Sequence, residues 1–219
     1  MGAHEEHRVR RTIFFCFAGP TASGKSTICR ALAERESGLR LSISTTTRKP
    51  RATEVEGRDY YFVSDEEFQR RKLSGLFVEH ATFSDHWYGT EAALNIERAI
   101  ERGEDLLLDI DVQGVRALKE KFPGDVVTIF ITPPNLKTLE ERLRLRNQES
   151  KAEMAKRLQV AKQEFSTLIS SGFSDYLLIN DQLEETIARA IAILRAERLK
   201  IGRYTAEFLA TIVGTAESR

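Results

Sequence analysis

Residues 19–26 read Gly-Pro-Thr-Ala-Ser-Gly-Lys-Ser, the spacing G-x-x-x-x-G-K-[ST], and this stretch restricts the fold more than any other. A loop of that spacing wraps phosphate oxygens with inward-pointing backbone N–H groups. Gly24 lets the backbone come close, Lys25 brings positive charge to the outer phosphates, and Ser26 offers a hydroxyl to a phosphate-bound Mg²⁺. The dipole of a following helix adds to the attraction. The motif therefore demands a strand before it and a helix after it. Thr12–Phe17 (TIFFCF) is β-branched and aromatic on both faces, as a strand buried on two sides must be. From Thr27 to Glu34, Ile28, Ala31 and Leu32 recur on one side at helical spacing. Gly19, Pro20, Thr21, Ala22, Ser23, Gly24, Lys25, Ser26 and Thr27 are thus the expected triphosphate site.

Beyond this unit, apolar strands alternate with helical patterns. Strands are expected at 39–43, 106–110, 126–131 and 176–179, which with 12–17 makes a five-stranded parallel core sheet between two helical layers, an α/β fold. Ser64 with Glu67, Ser150 with Glu153, and Asp181 with Glu184 have the spacing of helix-starting caps. Residues 44–90 interrupt the alternation with short strands at 60–63 and 76–83 around one helix. They read as an insertion over the sheet's carboxyl edge, where such sheets bind ligands. The single domain then divides into core segments 11–43, 91–135 and 171–203, the insertion 44–90, a helical segment 136–170 and a weakly patterned tail 204–219.

Of the 219 residues, 41% are apolar and 30% charged, enough for one ordinary core. Lys+Arg and Asp+Glu both number 33, so the chain has no bulk field to draw it to nucleic acid or an acidic membrane. Anion binding must come from local arginine clusters. Cys16 and Cys29 are expected as buried, reduced thiols. The apolar run 13–18 is too short for a secretory signal or a span, so a cytoplasmic protein is expected.

Three further segments follow the loop in order: Ser44-Thr-Thr-Thr-Arg48-Lys-Pro-Arg51 with Glu56-Gly-Arg-Asp-Tyr60; Phe77-Val-Glu79 leading to Trp87-Tyr88-Gly-Thr90; and Leu108-Asp109-Ile-Asp111-Val-Gln-Gly114. Arg48 and Arg51 suit a planar grip on phosphate, and Tyr60 and Tyr88 can add phenolic donors. Asp109 and Asp111 end a buried strand beside the loop, where acids suit water-mediated Mg²⁺ binding or substrate contact; Asp111 alternatively caps the next helix. With the loop, these segments resemble guanylate kinases from about Arg11 to Lys200.

The resemblance implies transfer of the γ-phosphate of ATP to GMP with Mg²⁺. It implies a GMP site from Ser44, Arg48, Arg51, Tyr60, Glu79, Tyr88, Thr90 and Asp109, with the residues of the first loop and Asn180 on ATP. It makes 136–170 a lid whose Arg142, Arg146 and Arg157 act with Lys25 on the transferring phosphate, and leaves Mg²⁺ to Ser26 and, as one reading, Asp111. Glu79 would read the base: guanine presents two adjacent donors, N1–H and N2–H₂, and a carboxylate offers two acceptors, whereas adenine presents an acceptor at N1. The implied partners are the two nucleotides alone, with oligomeric state left open. Ala22, Leu145 and Asn147 stand where the family commonly has glycine, His80 replaces a common Trp, and His86-Trp87 a common Asn-Tyr. Two alternatives are a phosphopeptide-binding module that has lost catalysis and a kinase of another monophosphate; Glu79 discriminates against the second.

Overall fold

β1 (Phe14–Ala18) is buried along its whole length, and the alternation of its side chains explains the layers around it. Ile13, Phe15 and Phe17 face one helical layer, where they meet Ile28 and Leu32 of α1 (Lys25–Arg35) and Ile187, Ala190 and Leu194 of the last long helix. Phe14, Cys16 and Ala18 face the other, against Ile96, Ala99, Val115 and Leu118. A strand that must satisfy two apolar layers has no polar face, which is why FFCFA is apolar throughout. The structure is a computed structural model that describes residues 9–83, 85–145, 151–212 and 214.

Chain order continues with β2 (Leu39–Leu41), β3 (Thr45–Thr46), β4 (Tyr61–Phe62), α2 (Asp65–Leu73), β5 (Phe77–Phe83) and β6 (His86–Glu91). A π-helical turn (Ala92–Glu97) then leads into α3 (Arg98–Arg102), β7 (Asp105–Asp109), α4 (Val112–Lys121) and β8 (Val126–Thr132). The remaining elements are α5 (Leu136–Leu145), α6 (Lys151–Ser171), β9 (Tyr176–Ile179), α7 (Leu183–Arg198), a 3₁₀ turn (Ile201–Arg203) and α8 (Ala206–Ile212). The core sheet has the order β2-β7-β1-β8-β9 with every pairing parallel. Its strands are the five expected, four of them shifted by one or two residues at one end or both and β9 unshifted.

A second sheet, β4-β3-β6-β5, is built from the insertion and mixes parallel and antiparallel pairs. β3 and β6 are strands the sequence reading lacks: Thr45–Thr46 lies in a polar stretch, and His-Trp-Tyr-Gly-Thr-Glu in β6 has no apolar alternation. Helical turns begin only at Ala92, after the strand has paired with β5. Ser64 caps α2 as expected, accepting the Glu67 N–H at 3.2 Å. Asp181 does not cap α7, which starts from Gln182 without a side-chain cap. Ser150 lies outside the described residues. The expected loose tail instead holds α8, with Phe208 stacked on Tyr204 at 5.5 Å.

The first described residues pair with the segment just before α8. Arg10 bridges Tyr204 in antiparallel fashion, the Arg11 N–H donates to Arg203 O at 2.8 Å, and the Thr205 N–H donates to Val9 O at 3.0 Å. Nearby, fully buried Asp105 accepts both Arg10 guanidinium nitrogens at 2.7 Å, Arg198 Nε at 2.8 Å and the Ile13 N–H at 2.9 Å. Among the described residues, no helix is long and apolar enough to cross a membrane.

Candidate active site

The phosphate loop runs from β1 to α1, and two close approaches fix its course. Gly19, at φ +133°, lies so near β8 that a Cβ would fall 2.1 Å from Ile131 O. Gly24, at φ +97°, is the N-cap of α1, and a Cβ there would fall 2.3 Å from Asn180 Nδ2. Only glycine fits either position. Asn180, just past β9, donates from Nδ2 to Ser23 O at 2.8 Å and so clamps the loop. Its own carbonyl accepts Arg142 Nη2 at 2.9 Å, which ties α5 to the same point.

Lys25 folds back over the loop, its Nζ donating to Gly19 O at 2.5 Å and lying 3.9 Å from Asp109 Oδ1. The Ser26 hydroxyl donates to Asp109 Oδ2 at 2.7 Å. A hydroxyl in the first turn of α1 and a carboxylate at the end of β7, both hard oxygen donors, suit a Mg²⁺ held chiefly by nucleotide and water. The buried Ser23 Oγ has no hydrogen-bond partner among the described residues, so the loop retains hydrogen-bonding capacity for an anion. Among the described residues, no group of three or more His, Cys, Asp or Glu is placed to hold a metal by itself. His80 instead packs edge-on to Trp87 at 6.0 Å.

Ala22 has φ +66°, a left-handed conformation that costs a residue with a Cβ. Its methyl is buried with Leu139 and Leu143 of α5 and Ala161 of α6.

On one side of the loop opens a cavity of about 410 Å³ between the two sheets. Arg48 lies in its wall with its guanidinium 5.3 Å from the Tyr60 ring centroid, and Tyr60 meets Tyr88 at 6.0 Å. Glu54, which sequence reasoning missed, holds the pair of arginines: its carboxylate accepts Arg48 Nη2 and the Arg51 N–H, each at 2.8 Å. Burial pushes the Glu54 pKa up, but the bonds from Arg48 and Arg51 prevail and hold it below the usual carboxylate value. The Arg51 guanidinium remains largely in solvent at the cavity mouth. Ser44, Asp109 and Arg157 also line this cavity.

Glu79 stands at the far end. The pairing of β5 with β6 shifts register between Phe77 and Glu79, so Val78 turns into the core and Glu79 into the cavity. Thr90, its cross-strand partner, donates from Oγ1 to Glu79 Oε1 at 2.6 Å. Burial raises the Glu79 pKa to about 7; the hydrogen bond from Thr90 opposes this and the charge of Asp111 adds to it. Asp111 caps α4, accepting the Gly114 N–H on Oδ1 at 2.8 Å. Glu164 of α6, a second acid the sequence did not single out, lines the same cavity with one carboxylate oxygen unpartnered among the described residues. Burial raises its pKa against the opposing charge of Lys25.

A second cavity, about 320 Å³, lies across the loop and is lined by Ala22, Gly24, Thr27, Arg142 and Asn180. The loop is thus a partition, with Gly19, Thr21, Lys25 and Ser26 on the first cavity and Ala22, Gly24 and Thr27 on the second. The structure brings together the residues named for the monophosphate and places Asn180 and Arg142 on the other side. Arg157 faces the first cavity, so the two described lid arginines line different cavities; Arg146 lies outside the described residues. No local pattern marks Glu54 or Glu164, because each acquires its surroundings only through folding.

This arrangement has close counterparts. The family model described as Guanylate kinase matches residues 10–197. The guanylate kinase of Caldanaerobacter subterraneus subsp. tengcongensis is 40% identical over 194 residues, 89% of this chain and 92% of that protein. The guanylate kinase of Bradyrhizobium diazoefficiens is 43% identical over 191 residues, 87% of this chain and 85% of that one. The crystal structure of guanylate kinase from Anaplasma phagocytophilum superposes with a TM-score of 0.74 at 34% identity, covering 95% of this chain and 98% of that one. An intact phosphate loop, an arginine-lined cavity on one flank of it and matches over nearly the whole length together show that this chain is an enzyme belonging to the guanylate kinase family.

Proposed function

We propose that the enzyme transfers the γ-phosphate of ATP to GMP, giving ADP and GDP, with GMP in the larger cavity and ATP across the loop. The observation that carries this reading is the partition itself: the loop that carries Lys25 stands between an arginine- and tyrosine-lined cavity ending in Glu79 and a second cavity beside Asn180.

Arg48, Arg51, Tyr60 and Tyr88 hold the GMP phosphate, and Glu79 with Ser44, Thr90 and Asp109 selects the base. An oxygen of that phosphate attacks the γ-phosphorus in line. The new P–O bond forms as the β–γ bridging bond breaks, and ADP leaves with the electron pair. No protein nucleophile is needed, so position and charge stabilisation supply the rate. Lys25 meets the charge on the transferring group, and Arg142, Arg146 and Arg157 are assigned to it once the lid closes. Ser26, with Asp111 as a candidate water-mediated contact, would hold Mg²⁺ together with ATP, and the ion would supply charge neutralisation on the phosphates.

A coupled assay with ATP and GMP, AMP, CMP or UMP tests the reading. Turnover is expected with GMP alone at physiological concentrations, and Lys25→Ala should lower kcat by on the order of 10²–10³-fold. A purified chain that binds ATP yet leaves GMP unphosphorylated would sink it.

A further inference from the structure

Gly114 closes the segment 108–114 on which the family likeness partly rests, yet the proposed reaction gives it no task. It is the third residue of α4, and its N–H is already used by Asp111 at 2.8 Å. Its backbone is not in the left-handed region, so nothing about its conformation calls for glycine. Helix propensity favours alanine there. Space is what distinguishes the position. A Cβ at Gly114 would stand 3.0 Å from Glu79 Oε2 and 3.2 Å from both Cδ and Cγ of Glu79, and these are its three nearest neighbours.

The Glu79 carboxyl is therefore held from two sides. Oε1 is fixed by the Thr90 hydroxyl at 2.6 Å, and the other oxygen rests against the bare turn of α4. A methyl group at that turn would push the carboxyl aside by a few tenths of an ångström. A bidentate match to two adjacent donors on a rigid ring tolerates little displacement, because both hydrogen bonds lengthen or tilt together.

We propose that Gly114 is a positioning residue for base recognition: its missing side chain is the seat that lets the Glu79 carboxylate present both oxygens to a guanine edge. This rests on the reading of Glu79 as the group that meets the base.

The test compares wild type, Gly114→Ala, Glu79→Ala and the double variant by KM for GMP, KM for ATP, kcat and ligand-free melting temperature. Wild-type turnover of GMP is the check on the underlying reading, and its absence would refute that reading separately. Gly114→Ala is expected to raise the KM for GMP about fivefold or more, with the KM for ATP within about twofold and the melting temperature unchanged or higher. In the Glu79→Ala background the same substitution should change the KM for GMP by less than about twofold, since its target is gone. An unchanged KM for GMP, a rise shared with ATP, or an equal rise without Glu79 would each overturn the proposal. Should Gly114→Ala fail to fold, a folded double variant identifies Glu79 as the steric partner and supports it; failure of both overturns it.

Discussion

Glu79 is a carboxyl group kept where a negative charge is costly. Burial raises its pKa from 4.5 to about 7, so between those values the folded chain holds a proton that the unfolded chain has released. Stability must then fall as pH rises through that window and level off above it. Glu79→Gln keeps a group able to pair with Thr90 but carries no charge. It should stabilise the ligand-free protein at pH 8 by on the order of 1–3 kcal/mol and do little at pH 4.5, as read by thermal melting. On the proposed reading of Glu79 as the base-contacting group, the same proton would oppose GMP binding, because a protonated acid sets a donor against one of guanine's donors. We expect kcat/KM for GMP to drop about tenfold from pH 8 to pH 6 beyond the change seen in Glu79→Gln. That variant retains the titration of the substrate phosphate near pH 6 and so serves as the control.

At the scale of elements, α4 and the phosphate loop each combine two demands in one residue. Asp111 caps α4 and also contributes to the raised pKa of Glu79. Asparagine caps as well as aspartate. Asp111→Asn should therefore leave the melting temperature nearly unchanged while moving the pH step in GMP use downward, which the same pH profile measures. Ala22 tolerates φ +66° while its methyl fills the small core between the loop, α5 and α6. Ala22→Gly would relieve about 1 kcal/mol of backbone cost and forfeit about 0.8 kcal/mol of methyl burial. Melting should shift by no more than a few degrees, and a large loss would mean that the methyl matters more than this balance allows.

These elements also show what could be read in advance. The five core strands were legible because each is short, apolar on both faces and bounded by turns, as in FFCFA and VVTIFIT. The phosphate loop was legible because its chemistry is contiguous. β6 was not, since its order comes from pairing with β3 and β5 rather than from any alternation of its own. Asp181 has the spacing of a cap but is not used as one, and α8 is stabilised by aromatic stacking with Tyr204, a contact that periodicity does not report. In the site, Arg48 could be named from its motif. Glu54 lies only three residues past Arg51, but nothing in the spelling says that it faces both arginines rather than solvent.

Across the whole molecule, β7 separates stability from function along its own length. Asp109 at its end contacts Ser26 in the site, while Asp105 at its start gathers Arg10, Arg198 and the Ile13 N–H, roughly 13 Å away at strand rise. Asp105→Ala would remove the shared acceptor of two guanidinium groups and leave the Ile13 N–H without it, while Arg198 keeps Glu36 and Ser37 O and Arg10 keeps Arg11 O. It should cost about 1–3 kcal/mol in denaturant unfolding while leaving nucleotide KM values within about twofold. On the site side, Arg142 and Arg157 line different cavities, so if both act on one phosphate as proposed, α5 and α6 are expected to move over the loop. Small-angle scattering should show a smaller radius of gyration with GMP and a non-hydrolysable ATP analogue together than with neither.

The stitch between the first described residues and the segment before α8 has one more consequence. Because residues 9–11 run against 203–205, a short linker could join them into a ring in a chain trimmed of its first eight residues and of α8 and the residues after it, and the ring could be cut instead at Gly75, an exposed turn where even a Cβ would touch nothing within 4 Å. Every strand would keep its neighbours, so the circularly permuted chain should still fold and turn over its substrates, and its new ends would lie within the insertion as attachment points for a fluorescent reporter of nucleotide capture.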